Sequence, residues 1–156
     1  MKQAADDEGR ALSEGSISMA AAFEGTEAIA QARDRAGAFL RDLRVEHGVP
    51  VPERVVNVVQ LVVSELVTNS RKYAPGPSLL TLEARDDSVA VSVWDTEPHL
   101  PVVRGADPVR VGQHGLEIVR AVCESLVVRR EPVGKRVTAT IGLTGRPPAE
   151  TPADRP

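Results

Sequence analysis

The chain has 156 residues, enough for one domain with a core of its own. A formal net charge of -3 leaves no basic excess to attract nucleic acid or an anionic membrane surface. The apolar runs fall far short of the roughly 20 residues that span a bilayer, and the single cysteine, Cys123, rules out an internal disulfide and suits a reducing cytoplasm.

Residues 1–15 are acidic and polar, lack the apolar segment of a secretory signal, and read as a disordered tail. The segment Ser16 to Phe23 (SISMAAAF) is an edge-strand candidate despite its alanines. From Thr26 to His47 the apolar spacing is helical: Ile29, Ala32, Ala36, Phe39, Leu40 and Leu43 form one stripe, with Thr26 as N-cap and Gly48 as stop. A second helix runs from Pro52 to Tyr73. Its valines are poor helix formers, but about 22 residues without a turn signal favour helix over strand. Ala74-Pro75-Gly76-Pro77 ends it.

Ser78–Arg85 and Ser88–Trp94 alternate around Asp86-Asp87, a hairpin signal. Residues 95–112 carry three prolines and no clear period. A stretch of that length inside a compact domain is commonly a lid or binding loop. A short helix over Gly115–Glu124 follows, in which Cys123 reads as a small buried hydrophobe. Leu126–Arg130 and Lys135–Gly142 then pair across Glu131–Gly134. The tail, residues 143–156, is proline-rich and reads as disordered. Aromatics are only 3% of the chain, so Val, Leu and Ala must fill the core. The element order implies an α+β domain over residues 16–142: a mostly antiparallel sheet with helices on one face, a two-layer α/β sandwich.

Three constellations can carry chemistry. Glu65 and Asn69, at i and i+4, share one helix face beside Val58, Leu61 and Val62. A carboxylate there can accept a proton, and a carboxamide oxygen can join the oxygen shell of Mg²⁺. By spacing alone, a solvated stripe describes the pair more simply. Asp95 closes an apolar strand, where it can accept a hydrogen bond from an exocyclic amine or merely start a turn. The run Val111-Gly112-Gln113-His114-Gly115-Leu116 opens a helix, and such glycines let backbone N–H groups approach an anion. It is neither a P-loop nor a dinucleotide-binding G-x-G-x-x-G, and a structural hinge has the same spelling. The histidines at 47, 99 and 114 match no metal motif, and no nucleophile elbow is present.

The order E-x-x-x-N, strand-end Asp, G-x-x-G-L at a helix start resembles the GHKL superfamily of ATP-binding domains. SELVTNSRKYA, residues 64–74, is similar to the N-box of the anti-sigma-factor serine kinases of the RsbW/SpoIIAB type, especially in actinobacteria. The resemblance implies the Bergerat fold and roles at matching positions. Glu65 would be the general base, and Asn69 the Mg²⁺ ligand beside the ATP phosphates. Asp95 would accept from the adenine amine. Gly112, His114, Gly115 and Leu116 would form the phosphate turn, with Lys72 approaching the phosphates. Either Arg33 or Arg35 would match the helix arginine that some kinases place near the γ-phosphate.

The chain departs from the family at Glu97, which replaces a glycine of the first glycine box and is followed by Pro98. It departs again at Tyr73 and His114, where histidine and arginine are common. The resemblance implies a cytoplasmic kinase using ATP and Mg²⁺ to phosphorylate a STAS-domain anti-anti-sigma protein. It could also sequester a sigma factor, and relatives often dimerise. The departures keep open a second class, a binding module that regulates a partner with weak or no nucleotide turnover.

Overall fold

A computed structural model describes residues 16–24, 28–73, 76–97 and 114–144. The described elements run β1 (Ile17–Phe23), α1 (Ala28–Val45), α2 (Glu53–Tyr73), β2 (Ser78–Arg85), β3 (Ser88–Asp95), α3 (His114–Val122), β4 (Ser125–Arg130) and β5 (Lys135–Gly142). The strands form one sheet in the order β1-β2-β3-β5-β4, every neighbouring pair antiparallel. The expected α+β sandwich is therefore what the chain builds. Residues 1–15 and 145–156, the Thr26 cap and the loop from residue 98 to 113 lie outside the described residues; Leu143, expected in the disordered tail, is instead buried in the core, its N–H donating to Asp87 C=O at 2.7 Å.

Strand alternation sets the core. Leu80, Val93 and Val137 lie in one row across β2, β3 and β5, and Leu82, Val91 and Ala139 in the next. All six are buried. The helices cover this face. Among them α2 is central: it touches α1, α3 and strands β2, β3 and β5. Val55, Val59, Val62, Val63, Leu66 and Val67 of α2 are buried. Burying a valine fully is worth about 1.5–3 kcal/mol, against a helix-propensity cost of at most about 0.7 kcal/mol. Packing thus makes a helix of a segment whose local preference leans toward strand.

The ends follow local chemistry. The carbonyl of Pro52 accepts from Val55 N–H and Val56 N–H at 2.9 and 3.2 Å, so the proline caps α2 from just outside it. Gly48 has φ of 66°, and the reversal lets Val49 N–H donate back to Leu43 C=O at 2.9 Å. Asp86, with φ of 54°, makes the tight turn between β2 and β3. Helix α3 stops at Val122, two residues earlier than its apolar pattern suggests. Cys123 lies in the following turn, buried, its thiol donating to Ser125 C=O at 3.1 Å. Among the described residues, no helix is long and apolar enough to cross a membrane.

Candidate functional site

Helix α2 has three working edges. Toward α1, Gln60 Nε2 donates to Arg33 C=O at 3.1 Å and lies 2.9 Å from where a Cβ on Gly37 would stand. Toward the sheet, the buried series ends in Ser70, which is only 1% exposed. Toward α3 lies Glu65, with Asn69 one turn further along α2, and both are half-buried. The pair is therefore neither a solvated stripe nor part of the core; it borders both.

Glu65 reaches α3 directly. Its Oε1 lies 2.7 Å from the position of a Cβ on Gly115, a space that exists only because residue 115 is glycine. The first turn of a helix carries backbone N–H groups without intrahelical acceptors and the positive end of the dipole. The Glu65 carboxylate thus sits beside the one turn of α3 able to hold an anion. His114 is the first residue of α3 and Gly115 the second; Leu116 is buried in the core and fixes that turn. Gly112 lies outside the described residues. Lys72 is exposed in the last turn of α2, on the same angular side as Glu65 and Asn69.

Asp95 sits at the end of β3, 2% exposed. Lys135, its register partner on β5, donates from Nζ to Oδ1 at 3.0 Å and to Oδ2 at 3.1 Å, and Lys135 is itself only 1% exposed. Glu97 N–H also donates to Oδ1, at 3.0 Å. The position that departs from the family glycine thus serves Asp95 through its backbone. Gly134, with φ of 77°, brings the β4–β5 turn so close that a Cβ would collide with Asp95 C=O. Trp94 Nε1 donates to Val133 C=O at 2.8 Å and ties the same turn from the other face.

The described members of the three constellations lie toward one end of the sandwich. Only residues 74–77 separate α2 from β2, and Gly76 of that link faces Thr96 Oγ1, next to Asp95. Ser70, one residue beyond Asn69, faces the sheet there. Among the described residues its buried Oγ has no hydrogen-bond partner, an arrangement that ordinarily marks a site for a ligand or water. Arg33 and Arg35 are both exposed on α1, and Arg35 lines a shallow cleft with Phe23 and Gln31.

Two of these residues escape a reading of motifs: Lys135 and Ser70. A signal for Lys135 exists in the chain. The inward positions of β5 are 135, 137, 139 and 141, and those of β3 are 89, 91, 93 and 95. Each series is apolar except at one end, where one offers a cation and the other an anion.

The family model of the histidine kinase-like ATPase domain matches residues 26–141, most of the chain. No curated protein matches the chain significantly.

Proposed function

This chain belongs to the histidine kinase-like ATPase domain family, and from that premise we propose that it is an ATP-binding regulatory protein that transfers phosphate to a serine or threonine of a protein partner. The observation that carries the reading is the contact of Glu65 with Gly115, which joins the only acid of the E-x-x-x-N pair to a helix start suited to anions. The nucleotide also fits the remaining groups. Asp95 presents a carboxylate at a strand end, and the buried Ser70 hydroxyl has no partner among the described residues. Magnesium in phosphoryl-transfer sites is held by one or two protein oxygens plus phosphates. Asn69 supplies such an oxygen.

In this reading the first turn of α3 holds phosphate oxygens through backbone N–H groups, and Lys72 adds a cation on the same side of α2. Mg²⁺, when bound, offsets phosphate charge. Glu65 takes the proton of the attacking hydroxyl. Its half-buried base is held by the packed face of α2, so the carboxylate is oriented before the partner arrives. A STAS-type anti-anti-sigma protein is the partner that the N-box wording favours. Sequestration of a sigma factor, a homodimeric state and a cytoplasmic setting belong to the same proposal. Incubation with Mg-ATP and such a partner should label the partner, and Glu65→Gln should abolish labelling while leaving nucleotide binding. Equal labelling by Glu65→Gln would end this reading.

A binding module with little turnover is the second reading. It draws on Asp95, whose carboxylate is already engaged by Lys135 and by Glu97 N–H. Calorimetry with Mg-ATP separates the two, since a Mg²⁺-dependent isotherm lost in Asn69→Ala would leave the second without support.

A further inference from the structure

The described helices pack on the face of the sheet that carries Leu80, Val93 and Val137. On the opposite face, register sets Ala22, Leu79, Trp94, Arg136 and Arg129 in one row across β1, β2, β3, β5 and β4. None of the five is buried. The row is apolar over its first three strands and cationic over the last two. Arg129 and Arg136 stand directly opposite each other, a like-charge pairing that costs stability. Glu131 offsets Arg136 only from 3.7 Å, and Glu83, the acid of this face, is held by Arg85 at 2.8 Å. Arg129 has no ion-pair partner among the described residues. Nearby, Val127 is 40% exposed, and Val133, whose carbonyl holds the Trp94 indole, is 62% exposed.

We propose that this uncovered face docks an acidic segment of the protein partner, with carboxylates at Arg129 and Arg136 and an apolar side chain laid on Trp94 and Leu79. The proposal deepens the phosphotransfer reading by stating where the partner is held, and rests on that reading for the partner's role. Exposed tryptophan and arginine are the residue types that carry much of the binding energy at protein interfaces. The indole is already fixed by its bond to Val133 C=O, so it has little freedom left to lose on binding. Carboxylates beside the two guanidinium groups turn a repulsion into charge-assisted hydrogen bonds. The like-charge pair, costly in the free protein, thus gains a use that neutral side chains would not supply. Nucleic acid suits the surface less well, because a net charge of -3 gives no long-range attraction to a polyanion. Asp95 follows Trp94 directly and is buried on the helix-covered side. A protein held on the open face therefore stands at the Asp95 end of the sheet without occupying the candidate site.

Trp94 is the chain's single tryptophan, so its fluorescence reports on this face. The intact protein is titrated, without nucleotide, with a short peptide of alternating glutamate and leucine and with its lysine–leucine counterpart. The glutamate peptide should change the emission saturably, and the lysine peptide should bind about tenfold more weakly or less. Arg129→Glu combined with Arg136→Glu should weaken the glutamate peptide about tenfold, the effect of losing two exposed ion pairs and gaining two repulsions. Equal binding of the two peptides, or binding of neither, would overturn the proposal, and so would a charge-reversed variant that binds like wild type. Sedimentation of the free protein adds one more arm: a dimer that the charge-reversed variant dissociates would show that a second copy covers this face, and would overturn the proposal as well. Should that variant not fold, the two-peptide comparison on wild type decides. No arm uses nucleotide or phosphate transfer, so failure here leaves the phosphotransfer reading standing. Failure of that reading in the Glu65→Gln labelling experiment would leave peptide binding intact and remove only the role assigned to the partner.

Discussion

The Oε1 of Glu65, on α2, lies 2.7 Å from the point that a Cβ on Gly115, in α3, would occupy. Two residues fifty positions apart in the chain thus meet through a carboxylate and a missing side chain. Alanine at 115 would force the carboxylate to move, and the end of a glutamate moves cheaply. Gly115→Ala should therefore keep stability within about 1 kcal/mol of wild type, with alanine the better helix former. Phosphoryl transfer, which in the proposed function depends on where that carboxylate points, should fall at least tenfold. Urea unfolding and partner labelling, measured on the same preparation, separate the two effects. Unchanged transfer would mean that the position of Glu65 does not matter.

The Asp95–Lys135 pair predicts non-additivity. Removing one partner leaves a buried charge without compensation, at a cost of about 3–5 kcal/mol. Lys135→Met and Asp95→Leu should each reach that range in urea unfolding. The double variant should cost much less than their sum, because neither charge remains to be desolvated. Additive losses would show that the two side chains do not interact in the folded protein.

Gly134 is constrained by its neighbours and by its own backbone. A Cβ there would collide with Asp95 C=O and lie 2.7 Å from Thr96 Cα, both of them backbone and unable to swing aside. Its φ of 77° adds the usual penalty of a left-handed conformation. Gly134→Ala should destabilise by about 2 kcal/mol or more. By contrast, Gly48 is also left-handed, but a Cβ there meets nothing within 4 Å, so Gly48→Ala should cost about 1–2 kcal/mol from conformation alone. The difference between the two variants in thermal unfolding measures the close approach of the β4–β5 turn to β3.

Cys123 predicts a pH dependence at the alkaline end. Burial pushes its thiol above the ordinary value of 9.0. The sign follows from linkage. Below the ordinary value the thiol is protonated in both folded and unfolded states, and its contribution to stability is complete. As pH rises from there through the higher folded value, the unfolded chain loses its proton first, and that contribution is lost. Cys123→Ala should flatten the fall in stability above pH 9.0. In the native wild-type protein at pH 8, Cys123 should react with a thiol reagent far more slowly than in urea. Equal rates would mean that the turn after α3 opens freely.

Much of the fold is legible without coordinates. The bounds of α2 and of the β2–β3 hairpin follow from periodicity and from turn residues, because 3.6- and 2-residue spacings are local consequences of backbone geometry. The α3 boundary is less legible: Cys123 and Glu124 continue an apolar helical pattern, but Glu124 N–H donates to Thr140 C=O instead, so sheet pairing ends the helix. At the site, Glu65, Asn69, Asp95 and Gly115 stand out by type and order. Lys135 does not, since a lysine after Val133-Gly134 reads equally well as a solvated strand end.

The sequence by itself determined which segments become helices and strands, the order of the acid, carboxamide and glycine motifs, and the family to which they point. Only the tertiary structure decided that Glu65 meets Gly115 and that Asp95 is paired with Lys135. Those relationships depend on which edge of α2 faces α3, and on the register that sets β5 beside β3. Periodicity acts over a few residues. A contact between positions 95 and 135, and the low dielectric that makes it strong, exist only once the core has closed around them.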